Sequence, residues 1–272
     1  MSNQIPDTPD VREVSVPGEA SHNLTRRRES LIKALYTRPG RKKHGLCVCE
    51  GLRSCRDLYL SHPELIEFMV CAEDVETDFP GVEICRVSRQ EFKGLTATVE
   101  SQGIMAVARR PDEASGVPDD PFILALDRVA DPGNFGTIVR TARAVGLKEI
   151  WYTAGSADPF SDKVIRSAMA SQFVIALREF GCLEELVSAL KEYGYDRIYR
   201  TDVEAGANCF TEEKLFLRSA IVMGSEAHGA GYIDGSTPLN IPMPGDAESL
   251  NVAQAATIIL FEHVRRQYVV AQ

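Results

Sequence analysis

No run in this sequence approaches the ~18 consecutive apolar residues that a membrane-spanning helix needs. The opening stretch, MSNQIPDTPDVREVSVPGEA, lacks the apolar centre of a signal peptide and carries acidic residues that organelle transit peptides avoid. The expected location is therefore the cytoplasm. Cys47, Cys49, Cys55, Cys71, Cys85, Cys182 and Cys209 make an odd set of seven with no Cys-x-x-Cys spacing. That argues against a disulfide framework and against a zinc site built on paired thiolates, and the thiols read as reduced, small apolar residues. No other clustered ligand set suggests a metal. Neither Gly-x-x-x-x-Gly-Lys-Ser/Thr nor Gly-x-Gly-x-x-Gly after a strand occurs, so the two common glycine-rich phosphate loops are excluded. Gly-x-Ser-x-Gly is missing as well, which removes the nucleophile elbow of the α/β-hydrolases. No internal repeat or low-complexity tract is found.

What is present is an ordinary globular balance: 272 residues, 44% hydrophobic and 25% charged, with room for two domains. The formal net charge is −9, yet residues 22–43 hold eight Lys/Arg against one Glu. This local +7 suits contact with a polyanion, and a solvated helix face is the competing explanation.

Residues 1–21 are polar with little to bury, and a mobile tail is expected. A short basic helix over 24–37, stopped by Pro39-Gly40, opens an N-terminal unit spanning 22–109. Within it the pattern predicts strands at 46–49, 65–71 and 103–108. A helix over 52–60 carries Leu52, Cys55 and Leu58 on one face. Ser88 and Glu91 have capping-box spacing. Three prolines and a charge cluster mark 110–121 as a linker. Residues 122–272 form a second α/β unit, with strands at 122–126, 149–152, 173–177, 197–199, 219–223 and 239–241. Helices are expected over 162–169 and 183–193, and a terminal one over 249–265. Strands alternating with helices imply a parallel sheet.

Three turns follow strands of this second unit, at the end where parallel sheets bind ligands. The first, Asp127–Arg140, combines Pro132, Gly133 and Gly136 with Asn134. It leads to Arg140 on the first or second turn of a helix, where a guanidinium can fork onto a phosphate. The second is Gly224-Ser-Glu226-Ala-His-Gly229. The third, Ile241–Asn251, brings two prolines and a glycine, then Ser249 and Asn251 at a helix start. Taken singly, each also fits an ordinary turn or cap.

Together, Asn134-x-Gly136-x-x-x-Arg140, Met223-Gly-Ser-Glu226-x-x-Gly229 and Ile241-Pro-Met-x-Gly245-x-x-x-Ser249-Leu-Asn251 resemble, in order and spacing, the three motifs of the SpoU family. These are RNA ribose 2′-O-methyltransferases of the SPOUT superfamily. The likeness covers about residues 122–266. Glu50-Gly51 and Gln102–Val107 resemble the small ribosomal-protein-like RNA-binding domain that precedes the catalytic domain in many members. The resemblance implies a C-terminal parallel-sheet domain with a deep trefoil knot. It implies S-adenosylmethionine as methyl donor, held by Gly224, Ile241, Met243 and Leu250, and it requires no metal. It implies Arg140, Asn134, Glu226, Ser249 and Asn251 as catalytic residues. The implied partners are RNA, chiefly large-subunit rRNA, and a second copy of the chain. A guanidinium with a pKa above about 12 is a poor base, so Arg140 is expected to bind phosphate and to stabilise charge developing on the 2′-oxygen. Three alternatives carry other outcomes: a transfer-RNA substrate, a non-catalytic RNA-binding protein on the same scaffold, and a hydrolase using Ser225 and His228. One local departure is noted: Ser167-Ala-Met-Ala-Ser171 stands where members often have a Ser-x-Gly-Ala-type stretch.

Overall fold

Two sheets divide the chain in the computed structural model, which describes residues 22–203, 206–225 and 229–270. The expected mobile tail, 1–21, lies outside the described residues. The first sheet has β1 (His22–Asn23), β2 (Leu46–Glu50), β3 (Ile66–Ala72), β4 (Ile84–Val87) and β5 (Ile104–Arg109), in the order β1-β4-β3-β5-β2. β5 runs antiparallel to both neighbours, whereas β1, β4 and β3 are mutually parallel. Four helices accompany them: α1 (Arg26–Leu35), α2 (Arg38–His44), α3 (Leu52–Ser61) and α4 (Arg89–Leu95). Period-two alternation splits the strand residues between two cores. Val48, Val70, Met105 and Val107 pack with Ile32 and Leu35 of α1 and Phe92 and Leu95 of α4. Cys49, Cys71, Ile104 and Ala106 pack with Cys55 and Leu58 of α3, in a cluster that continues into the second unit. Six of the seven thiols are buried and none is in a disulfide.

Several expectations are corrected. The basic helix ends at Leu35, ahead of Pro39-Gly40, but a second helix opens at Arg38. Pro39 sits in the first turn of α2, where its missing N–H costs nothing, and the Thr37 hydroxyl caps the helix by accepting from Gly40 N at 3.1 Å. Leu52 is exposed, because the first residue of α3 points away from the sheet that buries Cys55 and Leu58. Strand β4 had no counterpart in the sequence pattern. The Ser88–Glu91 capping box is present as expected.

The basic stretch divides in two. Arg41 is buried and its guanidinium reaches Asp158 at 2.6 Å, Arg38 reaches Glu179 at 3.1 Å, and Arg28 pairs with Glu83 at 2.6 Å. Arg26, Arg27, Lys42 and Lys43 are exposed. Part of the local positive charge thus holds the two units together instead of facing a partner.

The second sheet is entirely parallel. Its strands are β6 (Phe122–Asp127), β7 (Glu149–Thr153), β8 (Ala176–Phe180), β9 (Arg197–Thr201), β10 (Ala207–Asn208), β11 (Ser219–Gly224) and β12 (Thr237–Asn240), in the order β10-β12-β9-β11-β6-β7-β8. Helices α5 (Pro132–Ala144), α6 (Asp162–Ala168) and α8 (Val252–Val270) cover one face, packed on Phe122, Leu124, Leu126, Ile150 and Ile221. Helix α7 (Leu183–Glu192) covers the other, on Ile123, Ala125, Trp151 and Val222. Burial on both faces explains why β6 and β11 read as unbroken apolar runs.

The strand expected at 173–177 is displaced. Met169 and Ala170 take left-handed backbone, Ser171–Phe173 close a single 3-10 turn, and β8 starts only at Ala176. The apolar run Phe-Val-Ile-Ala-Leu marks burial there, not extension. The interval 110–121 has no helix or strand but is tied down. Ala114 N donates to Leu177 O, Asp120 accepts from the amides of Lys148 and Glu149 at 2.9 Å, and the buried Tyr195 hydroxyl donates to Asp120 O at 2.8 Å.

Candidate active site

The first turn is short. Asp127 ends β6 and Asp131 caps α5, its carboxylate accepting from Asn134 N at 2.8 Å, with Pro132 at the first helical position. Because the helix begins this early, Arg140 lies on its third turn, not the first or second. Gly136 is buried inside α5 against α6. A Cβ there would stand 2.8 Å from the Val164 carbonyl oxygen and 2.9 Å from Ala168 N, so only glycine permits the approach. Arg140 is exposed on α5.

The second turn leaves β11 at Gly224 and folds back at once. Gly229 N donates to Ser225 O at 2.8 Å, and a Cβ on Gly224 would overlap the backbone of Gly229 and Ala230. Glu226, and with it His228, lies outside the described residues.

The third turn corrects the expected start of the last helix. α8 begins at Val252, and Asn251 is its cap, with Oδ1 accepting from Ala253 N at 3.0 Å and from Gln254 N at 3.3 Å. Ser249 stays in the turn. The Asn251 side-chain amide donates to Asn134 Oδ1 at 3.0 Å, which joins the third turn to the first across 117 positions of sequence.

The second and third turns border a cavity of about 800 Å³. Its wall includes Gly224, Ile241, Met243 and Leu250, the four residues expected to hold a cofactor, together with Ser249. Asn134 is joined to the third turn through Asn251, and neither of these two nor Arg140 lines the cavity. Backbone and apolar side chains make much of the wall. Three charged groups that the motifs did not single out also line it: Glu248, and an Arg200–Asp202 pair at 2.7 Å. The signal for the pair was topological. β9 neighbours β11, so the end of β9 opens beside Gly224, but strand order is invisible to a motif. Among the described residues, no group of three or more His, Cys, Asp or Glu side chains could hold a metal ion, and no helix is long and apolar enough to cross a membrane.

A parallel α/β domain with a backbone-lined cleft at the carboxyl ends of its strands defines a binder of a small, largely apolar-faced molecule with a few polar handles. Comparison narrows that class. Residues 121–261 match the SpoU rRNA Methylase family, and residues 30–106 match the MRM3-like substrate binding domain. The chain is 35% identical over 242 residues to the 23S rRNA (guanosine(2553)-2′-O)-methyltransferase RlmP of Bacillus subtilis, covering 86% of this chain and 94% of that protein. Its structure is similar to that of a putative TrmH-family RNA methyltransferase from Porphyromonas gingivalis, with a TM-score of 0.77, 26% identity and coverage of 90% and 100%. It is likewise similar to an AdoMet-bound rRNA methyltransferase from Sinorhizobium meliloti, with a TM-score of 0.75, 28% identity and coverage of 90% and 96%. The chain belongs to the SpoU rRNA methylase family.

Proposed function

We propose that this protein is an S-adenosylmethionine-dependent methyltransferase acting on a ribose 2′-hydroxyl of RNA, with large-subunit rRNA as substrate and the cytoplasm as its place of action. The observation that carries this is that the second and third turns line one cavity with the end of β9, while the Asn134–Asn251 hydrogen bond ties the first turn to the third. The cavity fits the donor. Met223, Leu239, Ile241 and Leu250 offer apolar walls for a nucleoside, and Arg200, Asp202 and Glu248 offer charges for an amino-acid tail. Gly224, with no room for a Cβ, lets main chain close around the site. Gly224, Ile241, Met243 and Leu250 would hold the donor, which when bound supplies an electrophilic methyl on a sulfonium.

The protein's own task is to align the hydroxyl and ease its deprotonation as the new O–CH₃ bond forms. Arg140 grips the phosphate beside the target ribose with its planar fork and stabilises negative charge on the 2′-oxygen. Among the described residues its guanidinium makes no hydrogen bond or ion pair, so its donors are available to RNA. Asn134, held by Asn251, orients the ribose with Glu226, while Ser249 and Asn251 keep the third turn in shape.

The C-terminal segment is read as a trefoil knot. β12 lies beyond β9, yet the chain returns after it to lay α8 on α5 and β11, which supports that reading. The working unit is read as a homodimer. Transfer of a labelled methyl to 23S rRNA tests the reaction. Arg140→Ala should cut turnover by about 10²–10³-fold with donor affinity by calorimetry unchanged. Arg140→Lys keeps the charge but loses the fork and should recover little. Loss of donor binding in the alanine variant would remove Arg140 from this role.

A further inference from the structure

Arg128 is one of four non-glycine residues with positive φ among those described, at +53°. That conformation disfavours a long side chain by about 1 kcal/mol relative to glycine. It stands directly after β6, where Asp127 pairs in register with Gly224 of the cavity wall. The guanidinium is not loose. Nη2 donates to Asp127 Oδ2 at 2.9 Å and Nε at 3.2 Å. The Asp127 carboxylate is itself only 2% exposed and also accepts from Thr153 Oγ1 at 2.9 Å and Gly231 N at 3.1 Å. Gly155 clears the path of the side chain. A Cβ there would stand 3.2 Å from Arg128 Cγ. The side chain is still 51% exposed. Nη1 donates to nothing among the described residues, and Glu184 of α7 is the other charge that bears on it. A buried carboxylate thus fixes one edge of a guanidinium and presents the other outward at the ligand-binding edge of the sheet, one residue from the second turn.

We propose that Arg128 is a substrate-positioning residue that holds a backbone phosphate of the RNA flanking the modified nucleotide. Its free edge offers paired N–H donors to phosphate oxygens, and its prior anchoring on Asp127 lowers the entropy lost on contact. Left-handed backbone turns the side chain onto Asp127, which gives the strain a use. The proposal rests on the reading that the chain acts on RNA.

Binding of the full chain to unmodified 23S rRNA, measured against salt, tests it. Arg128→Gly relieves the backbone and removes the charge. It should weaken RNA binding about tenfold and reduce the slope of log affinity against log salt by about 0.7–0.9, the release of one phosphate's counterions. Donor affinity should stay within about twofold, which certifies the fold. Arg128→Lys should keep the wild-type slope while recovering only part of the affinity, because the fork is lost. A Gly variant with wild-type slope and affinity, on a wild type that binds and methylates the RNA, overturns the proposal alone. A wild type that methylates no RNA overturns the functional reading beneath it.

Discussion

Gly136 sits within a helix, where glycine normally costs about 1 kcal/mol relative to alanine. Here the sign reverses. A new Cβ would meet the Ser167 hydroxyl and, with it, the Val164 carbonyl and the Ala168 amide, backbone atoms of α6 that cannot swing away. Separating α5 from α6 would also disturb Val139 and Ile165, both buried in the same cluster. Gly136→Ala should therefore destabilise the protein by a net of about 1–3 kcal/mol, the range for overpacking a dense core. Urea unfolding at neutral pH reads this as a lower midpoint at unchanged slope, and a raised midpoint would mean the two helices are free to part. The same closeness bears on the site, because α5 carries both Asn134 and Arg140. They are six positions apart in the chain, so they lie about 9 Å apart along the axis and about 120° apart around it. That geometry is why Asn134 meets Asn251 while Arg140 faces outward.

Elements were legible where pattern and local chemistry agree. β6 and β11 announced themselves as apolar runs, and α4 by its capping box, since those signals are local. Pro39 misled because its meaning depends on its position in a helix: it breaks one in the interior and starts one in the first turn, and Thr37 decides which. The last helix was read from Ser249 because apolar spacing continues back through Leu250, whereas the true boundary is the Asn251 cap. For the site, the turns were readable from their own residues, and the four cavity residues from the resemblance to the SpoU motifs. Arg200 and Asp202 were not, because strand order brings them there. Helix α8 has a second feature that spacing alone would not reveal. The carboxylate of Glu262 is buried and clasped by Arg265 at 2.7 Å and Arg266 at 2.8 Å, and those hydrogen bonds hold its pKa at about 2 against the usual 4.5. Arg266 also donates to the carbonyls of Glu212 and Cys209, so the clasp ties α8 to the segment before β11. A depressed carboxylate pKa stabilises fully above the unfolded value and loses its contribution as pH falls toward the folded one. Glu262→Gln should thus cost about 1–3 kcal/mol at pH 7, with the gap to wild type closing between about pH 5 and pH 2. A gap independent of pH in denaturant titrations would assign the loss to packing instead.

At the scale of the molecule, charge and apolar surface are shared out among different joints. The overall −9 does not prevent an RNA partner, because Arg26, Arg27, Lys42 and Lys43 remain exposed after Arg28, Arg38 and Arg41 are committed to internal pairs. The Arg41–Asp158 pair, buried and reinforced by a 2.8 Å bond to Leu35 O, links the first unit to the second beside a continuous apolar cluster. The joint within the chain is therefore closed. The proposed joint between copies would use a different surface. On α8, Val252, Ala256, Ile259 and Leu260 are spent on the core, so they are not free to meet a partner. The stripe at 254, 258, 261, 265 and 268 turns the other way, with Phe261 50% and Tyr268 73% exposed. Exposed aromatics spaced one heptad apart on a helix that packs against α5, the carrier of Arg140, suit contact with a second copy of the same helix. The proposed homodimer should then sediment at about twice 29.9 kDa. Phe261→Asp should bring it to the single-chain mass while leaving donor binding within about twofold, since Phe261 does not line the cavity. A wild-type chain that sediments as a monomer and still methylates RNA at full rate would remove α8 as a dimer surface and leave Arg140 to act within one chain.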